Sequence, residues 1–189
     1  MAQGADLQWA ALACSHWQVA VELCDISSET QLEHSMSTRP SSVVHSAGVL
    51  ADALLLNQTQ AGLQRGWAPK AEATWSLHQA SGRQELDVFV LFSSVAALLG
   101  NTGQANYAAA NACLDGLARL GRAEGLAGTS LQGGAWSGSG MAVSSGVVDQ
   151  LEAQGLGAVT EAQGLCALEL GMVGSSPEVL GMVPVRWPV

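Results

Sequence analysis

Tyr107 is the only tyrosine in the chain and Lys70 its only lysine. Asn111 follows Tyr107 by four residues in the run "QANYAAANACLDGLA" (104–118), and Ser94 closes the apolar run "LDVFVLFSS" (86–94). Asparagine is a mediocre helix former, so its place in an alanine-rich helix, one turn after a phenol, asks for a reason. Residues four apart share a helix face, and Tyr107 and Asn111 therefore project together. A helix that follows a strand packs back across the sheet, which brings its first turns, and Tyr107, close to Ser94. Two hydroxyls converging on one point make a carbonyl-binding pair: serine holds the oxygen while tyrosine supplies a proton. A phenol with a pKa near ~10 is a reluctant acid–base group at neutrality, and a nearby cation lowers that value. Lys70 lies in the helical stretch that precedes the strand carrying Ser94, so lysine, serine and tyrosine can meet. The competing reading of Lys70 is a solvated surface residue, as most lysines are.

These residues need elements to position them, and the pattern along the chain supplies an alternation. "VAVEL" (19–23) reads as a short strand. "SSETQLEHSMS" reads as a helix opened by a capping box of Ser28 and Gln31. "SVVHSAG" (42–48) is a second buried strand ended by Gly48, and helical patterns run from about Gln58 to Gly82. The strand at 86–94 and the helix from about Gly103 to Glu124 follow. Then come a strand "TSLQGG" (129–134), helices near 147–154 and 161–172, and a last strand "VLGMVPV" (179–185). This order predicts an α/β fold, a Rossmann-like doubly wound parallel sheet with helices on both faces. Ligands of such sheets collect outside the carboxyl ends of the strands, which singles out Asp25, Gly48, Ser93, Ser94, Gly133 and Gly134. Each alone is ordinary turn chemistry; the helix carrying Tyr107 raises their interest.

Composition narrows the classes. A chain of 189 residues with 48% hydrophobic and 12% charged residues is a globular chain able to bury a core. Its formal charge of −9 disfavours nucleic acid and anionic membrane as partners. No apolar run approaches the roughly 20 residues that span a bilayer. The opening "MAQGADLQWAALACSHWQ" lacks a basic region and a cleavage site, which points to the cytoplasm. Cys14, Cys24, Cys113 and Cys166 form no CxxC pair, so buried free thiols are expected rather than a metal site or a disulfide framework. Ser137 and Ser139 do not sit in a GxSxG elbow, which sets aside an α/β-hydrolase.

The segment "VFVLFSSVAALLGNTGQANYAAANACLDGLA" resembles the ketoreductase domains of modular polyketide synthases, members of the short-chain dehydrogenase/reductase superfamily. "CDISS", "SSVVHSAGVLADALL", "WAPKAEATWSLHQAS" and "WSGSGMA" extend the resemblance from about Val19 to Val185. On that basis the 189 residues form a single, partial ketoreductase catalytic domain. The family orders its catalytic groups Lys, Ser, Tyr, Asn, and the intervals of 24, 13 and 4 residues between Lys70, Ser94, Tyr107 and Asn111 fit it. The resemblance implies NADPH-dependent reduction of a β-keto group on an acyl carrier protein-bound thioester. It makes Tyr107 the proton donor and Ser94 the holder of the ketone oxygen. Lys70 lowers the tyrosine pKa and reaches the nicotinamide ribose, and Asn111 supports the lysine and a water relay. It also implies cofactor contacts at Asp25, Ile26, His45, Ala47, Gly48, Ser93, Lys70, Tyr107 and Gly134.

The sequence departs from the family at several points. It carries no complete GxGxxG, as though it began after the first βαβ unit, and Gly133 and Ala135 stand where Trp and Pro are common. "GVLADAL" keeps one aspartate, Asp52, of a Leu-Asp-Asp pattern tied to one hydroxyl configuration, and Leu91 is not the tryptophan tied to the other. The expected partners are therefore other synthase domains or a completing N-terminal segment. The alternative is an inactive or structural module that cannot bind cofactor alone. "SSVVH" is expected either as an exposed sheet edge or paired unusually with "VAVEL", because the family places two strands between them.

Overall fold

A computed structural model describes residues 24–26, 28–82, 84–137, 151–153 and 155–186. Among the described residues four parallel strands form one sheet: β1 (Ser42–His45), β2 (Val88–Ser94), β3 (Thr129–Gly133) and β4 (Val179–Met182), in spatial order β1-β2-β3-β4. Val44 lies opposite Val90, Phe92 opposite Leu131, and Leu131 opposite Leu180. The strands alternate with α1 (Glu29–Met36), α2 (Gln60–Trp67), α3 (Ala73–Ser81), α4 (Ala96–Leu99), α5 (Ala105–Ala123) and α6 (Glu161–Gly171). The expected α/β architecture is thus present. The proposed strand at 19–23 and the start of the helix near 147 lie outside the described residues.

Side chains on a strand alternate between faces, and β3 shows where each face goes. Ser130 and Gln132 hydrogen-bond Asp115 on α5, whereas Leu131 and Thr129 lie against Gly171 of α6. Helices therefore cover both faces. Central parallel strands buried on both sides read as continuous apolar runs, which is the character of β2. Phe89 and Leu91 of β2 join Leu32 and Met36 of α1, Leu77 of α3, and Leu114 and Leu117 of α5 in the main core. β1 and β4 are the outer strands among the described residues, and Val44 of β1 is 46% exposed.

Three local expectations need correction. Ser28 does cap α1 by position, but its Oγ contacts Thr30 Oγ1 and makes no cap bond. Gln31 Oε1 accepts instead from the Asp25 N–H at 2.9 Å, and the Ser28 N–H bonds back to the Asp25 carbonyl. A full capping box occurs at α6, where Thr160 and Gln163 satisfy each other's backbone N–H groups. Among the described residues the thiols are not buried: Cys113 and Cys166 are exposed and Cys24 is half-buried, while Cys14 lies outside the described residues. Cys113 falls off the stripe of Ala110, Leu114, Leu117 and Ala118 that α5 turns inward. Leu91 is fully buried in β2 and does not line the cleft, so the position expected to bear on hydroxyl configuration lies away from the site.

Candidate active site

A cleft of about 560 Å³ opens at the carboxyl ends of the strands. Ser46, Ala47 and Gly48 line it after β1, and Ser93 and Ser94 line it at the end of β2. Gly133, Gly134 and Trp136 line it after β3, and Lys70, Gln104 and Tyr107 reach it from the helices. Its size lies within the ~300–1,000 Å³ of small-molecule sites. The small residues after the strands leave backbone as its floor.

Lys70 is placed by an irregularity. Pro69 has no N–H and its ring crowds the preceding turn, so a regular helix cannot pass through it undisturbed. The stretch between α2 and α3 widens into a π-helical turn, Ala68–Glu72, with Lys70 on its inner side. The lysine is 2% exposed and its Nζ donates to the Phe92 carbonyl of β2 at 2.8 Å. The competing reading of a solvated Lys70 is excluded by that burial. Nζ also lies over the Tyr107 ring, 5.6 Å from its centroid. Burial lowers the Lys70 pKa from 10.5 to about 8, with the Asp115 carboxylate opposing the fall.

α5 carries the next two groups on one face. Asn111 is fully buried; its Nδ2 donates to the Tyr107 carbonyl at 2.8 Å, and its Oδ1 has no protein partner. Ser93 Oγ donates to the Asn111 carbonyl at 3.2 Å, which ties α5 to the end of β2. Ser94 Oγ accepts from the Ala96 N–H at 3.2 Å, leaving its own proton available. Burial pushes the Tyr107 phenol above its usual pKa, against the pull of the Asn111 and Ser94 side chains and with Asp52 adding to the rise. The expected lowering of that pKa by Lys70 is therefore not met, because desolvation of the phenol outweighs what opposes it.

The sequence-derived cofactor residues divide. Ala47, Gly48, Ser93, Gly134, Lys70 and Tyr107 line the cleft; Asp25, Ile26 and His45 do not. Asp25 is exposed at the head of α1, and Ile26 packs on the main core. His45 is buried behind the cleft, where its Nε2 donates to the Pro69 carbonyl at 3.0 Å and so braces the turn that carries Lys70. Burial first, and the Lys70 charge second, lower its pKa to about 4, so the ring is neutral.

Sequence reasoning missed Trp136 and Gln104. Gln104 Nε2 donates to Asp52 Oδ2 and its Oε1 accepts from Asn101, both at 2.9 Å. Asn106 Nδ2 donates to the Ala51 carbonyl at 2.8 Å, so the loop after β1 is strapped to the start of α5. Polar Gln104 and Asn106 beside Tyr107 in an alanine run were the available signal. Among the described residues no cluster of His, Cys, Asp or Glu gathers that could hold a metal ion, and no helix is long and apolar enough to cross a membrane.

The family described as KR domain matches residues 2–138. The chain belongs to the KR domain family. This KR domain chain is 44% identical over 140 residues to the polyketide synthase GfsB of Streptomyces halstedii, covering 71% of the chain and 2% of that protein. It is 39% identical over 169 residues to the phthioceranic/hydroxyphthioceranic acid synthase of Mycobacterium bovis, covering 84% of the chain and 8% of that protein. Among solved structures it is similar to the first ketoreductase of the tylosin polyketide synthase, with a TM-score of 0.90 at 36% identity over 98% of this chain and 41% of that one. An A1-type ketoreductase gives a TM-score of 0.91 at 34% identity, over 98% of this chain and 40% of that one. The chain thus spans a small fraction of its curated relatives and under half of these solved chains.

Proposed function

We propose that this KR domain chain carries the catalytic group of an NADPH-dependent β-ketoacyl reductase that acts on a carrier-bound thioester within a polyketide synthase. The observation that carries the reading is the meeting of Lys70, Ser94 and Tyr107 on one cleft at the strand ends, with Asn111 buried directly behind. Relatives bearing the names of polyketide synthases and ketoreductases support the substrate class.

The residues present fit the nicotinamide and ribose side of the cofactor. Ala47 and Gly48 keep the side chains after β1 small, Gly133 and Gly134 line the opposite side, and Lys70 and Tyr107 stand within the same cleft. NADPH supplies the hydride when bound. Ser94, whose oxygen already accepts from Ala96, turns its proton toward the ketone oxygen. Tyr107 keeps its proton at neutral pH, which suits a donor to the developing alkoxide. Lys70, with a pKa of about 8, is mostly charged near pH 7 and faces the ring of the donor. Asn111 Oδ1 is an open acceptor for a relay water that restores the tyrosine proton.

The test follows NADPH consumption with a β-ketoacyl thioester of a small carrier mimic, and the hydroxy product is identified. Tyr107→Phe removes one hydroxyl, and turnover falls by about 10²-fold or more while the circular dichroism spectrum is kept. Unchanged turnover in that variant refutes the assignment. A folded wild-type chain that neither binds NADPH nor reduces the thioester identifies a structural module instead.

A further inference from the structure

His45 ends β1 next to the cleft without lining it, and the chemistry proposed above makes no use of it. Its side chain is buried, and its Nε2 donates to the Pro69 carbonyl at 3.0 Å. A carbonyl only accepts, so the proton sits on Nε2 and Nδ1 is a bare acceptor. That Nδ1 is buried and has no partner among the described residues. An orphaned buried acceptor destabilises a core, and a leucine or valine in the same place would avoid it. Packing therefore does not account for the ring; the bond from Nε2 does.

The carbonyl that His45 engages belongs to the residue before Lys70. The π-helical turn Ala68–Glu72 is joined to the sheet at two points. His45 of β1 donates to the Pro69 carbonyl, and the Phe92 carbonyl of β2 accepts from the Lys70 ammonium at 2.8 Å. His45 lies opposite Leu91 in the register of β1 and β2, so the two ties sit one residue apart at the carboxyl end of the sheet. Within the helix, the Lys70 carbonyl accepts from Thr74 Oγ1 at 2.6 Å. Among the described residues no hydrogen bond other than that of His45 joins the backbone of this turn to the sheet. A π-helical turn is a rare local departure from the α-helix, so a hold from outside the helix bears directly on whether it persists.

We propose that His45 is a positioning residue for Lys70: by donating to the Pro69 carbonyl from β1, it holds the π-helical turn in the form that lays the ammonium between the Phe92 carbonyl and the Tyr107 ring. One residue of a regular α-helix turns the chain by about 100°, so a turn that tightened to α would swing α3 and the lysine relative to each other. Histidine suits this place by its charge. A lysine or arginine donor would set a second cation beside the ammonium, and an ionised carboxylate cannot donate. The titratable side chains that bear on the ammonium are His45 of β1, and Tyr107 and Asp115 of α5; β2 and β3 carry none. The consequence for turnover rests on the reductase reading, whereas the placement of the lysine does not.

The single lysine makes the test direct. The full chain, grown with carbon-13-labelled lysine, gives one ε-methylene resonance, whose titration midpoint is expected at about 8. His45→Leu fills the space without a donor; the turn relaxes, water reaches the amine, and the midpoint rises by about one pH unit or more. His45→Gln offers an amide N–H in place of Nε2–H and keeps the wild-type midpoint. Leu32→Ala loosens the main core from α1 and leaves the midpoint where it is, which separates positioning from general destabilisation. An unchanged midpoint in His45→Leu, or an equal rise in His45→Gln or Leu32→Ala, overturns the proposal. Should His45→Leu lack a folded circular dichroism spectrum, nitrogen-15 spectra of the histidines decide, with His45→Gln identifying the ring. A slowly exchanging proton on Nε2 supports the proposal, and a proton on Nδ1 overturns it. With NADPH and a β-ketoacyl thioester, kcat in His45→Leu falls by about 10-fold or more at a near-constant KM for the thioester, and His45→Gln regains it. A wild-type kcat in His45→Leu overturns the proposal as well. A lysine that shifts as expected in a chain without turnover counts against the reductase reading alone.

Discussion

Lys70 shows how the proposed catalytic role and folding stability oppose each other at one residue. Its depressed pKa means that the folded chain holds an ammonium less readily than the unfolded chain does. Between about 8 and 10.5 the unfolded state binds more protons, so stability rises with pH across that window, and at pH 7 the buried charge is destabilising. Lys70→Met keeps the stem and removes the charge. Thermal denaturation at pH 7 is expected to show an unchanged or higher midpoint, with a gain of up to about 1–4 kcal/mol, as when buried charges give way to apolar groups. Reductase turnover falls in the same variant. A clear drop in the melting temperature contradicts this account of the lysine.

At the scale of elements, α6 is coupled to the cleft through a glycine. Gly164 faces the Trp136 indole so closely that a Cβ there would sit 2.0 Å from Cη2. No flexible end of a side chain can yield at that point, because the neighbour is a ring that itself lines the cleft. Gly164→Ala therefore displaces either α6 or Trp136. Urea denaturation is expected to show a loss of about 1–3 kcal/mol, the usual result of overpacking. The Michaelis constant for the thioester rises in parallel, since one wall of the cleft moves. A variant as stable as wild type, with unaltered kinetics, would show that the contact is slack.

For the whole molecule, acid is the sensitive direction. His45 is buried and its pKa is lowered from 6.5 to about 4. In that interval the unfolded chain binds the extra proton, so stability is full above pH 6.5 and is lost as pH falls toward 4. The size of the effect is on the order of 3 kcal/mol. Urea midpoints measured from pH 4 to 7 should rise with pH, and His45→Gln should flatten that slope because an amide can keep the bond to Pro69 without titrating. A slope that survives the substitution assigns the acid sensitivity to other groups. The phenol acts at the other end of the scale: its raised pKa favours the fold below about pH 10, and that contribution is lost as pH climbs further.

Much of the architecture was legible because it is written in local period. The apolar run ending at Ser94, the i, i+4 pair of Tyr107 and Asn111, and the glycines after "TSLQ" each follow from neighbours along the chain. Strand order, with β1 and β4 at the two edges among the described residues, came only from pairing between distant segments. The same is true of whatever depends on burial. Lys70 and Asp115 look like surface charges in the sequence, and only the packing of the π-helical turn and of α5 against β2 and β3 strips them of water. His45, expected as a cofactor contact, turns its ring to the Pro69 carbonyl and does not line the cleft, since strand alternation alone does not say which layer a ring will meet. The rise in the Tyr107 pKa could not be read from residue types either. Proximity of a lysine predicts a fall, but desolvation depends on every atom around the phenol, and that is a property of the tertiary structure alone.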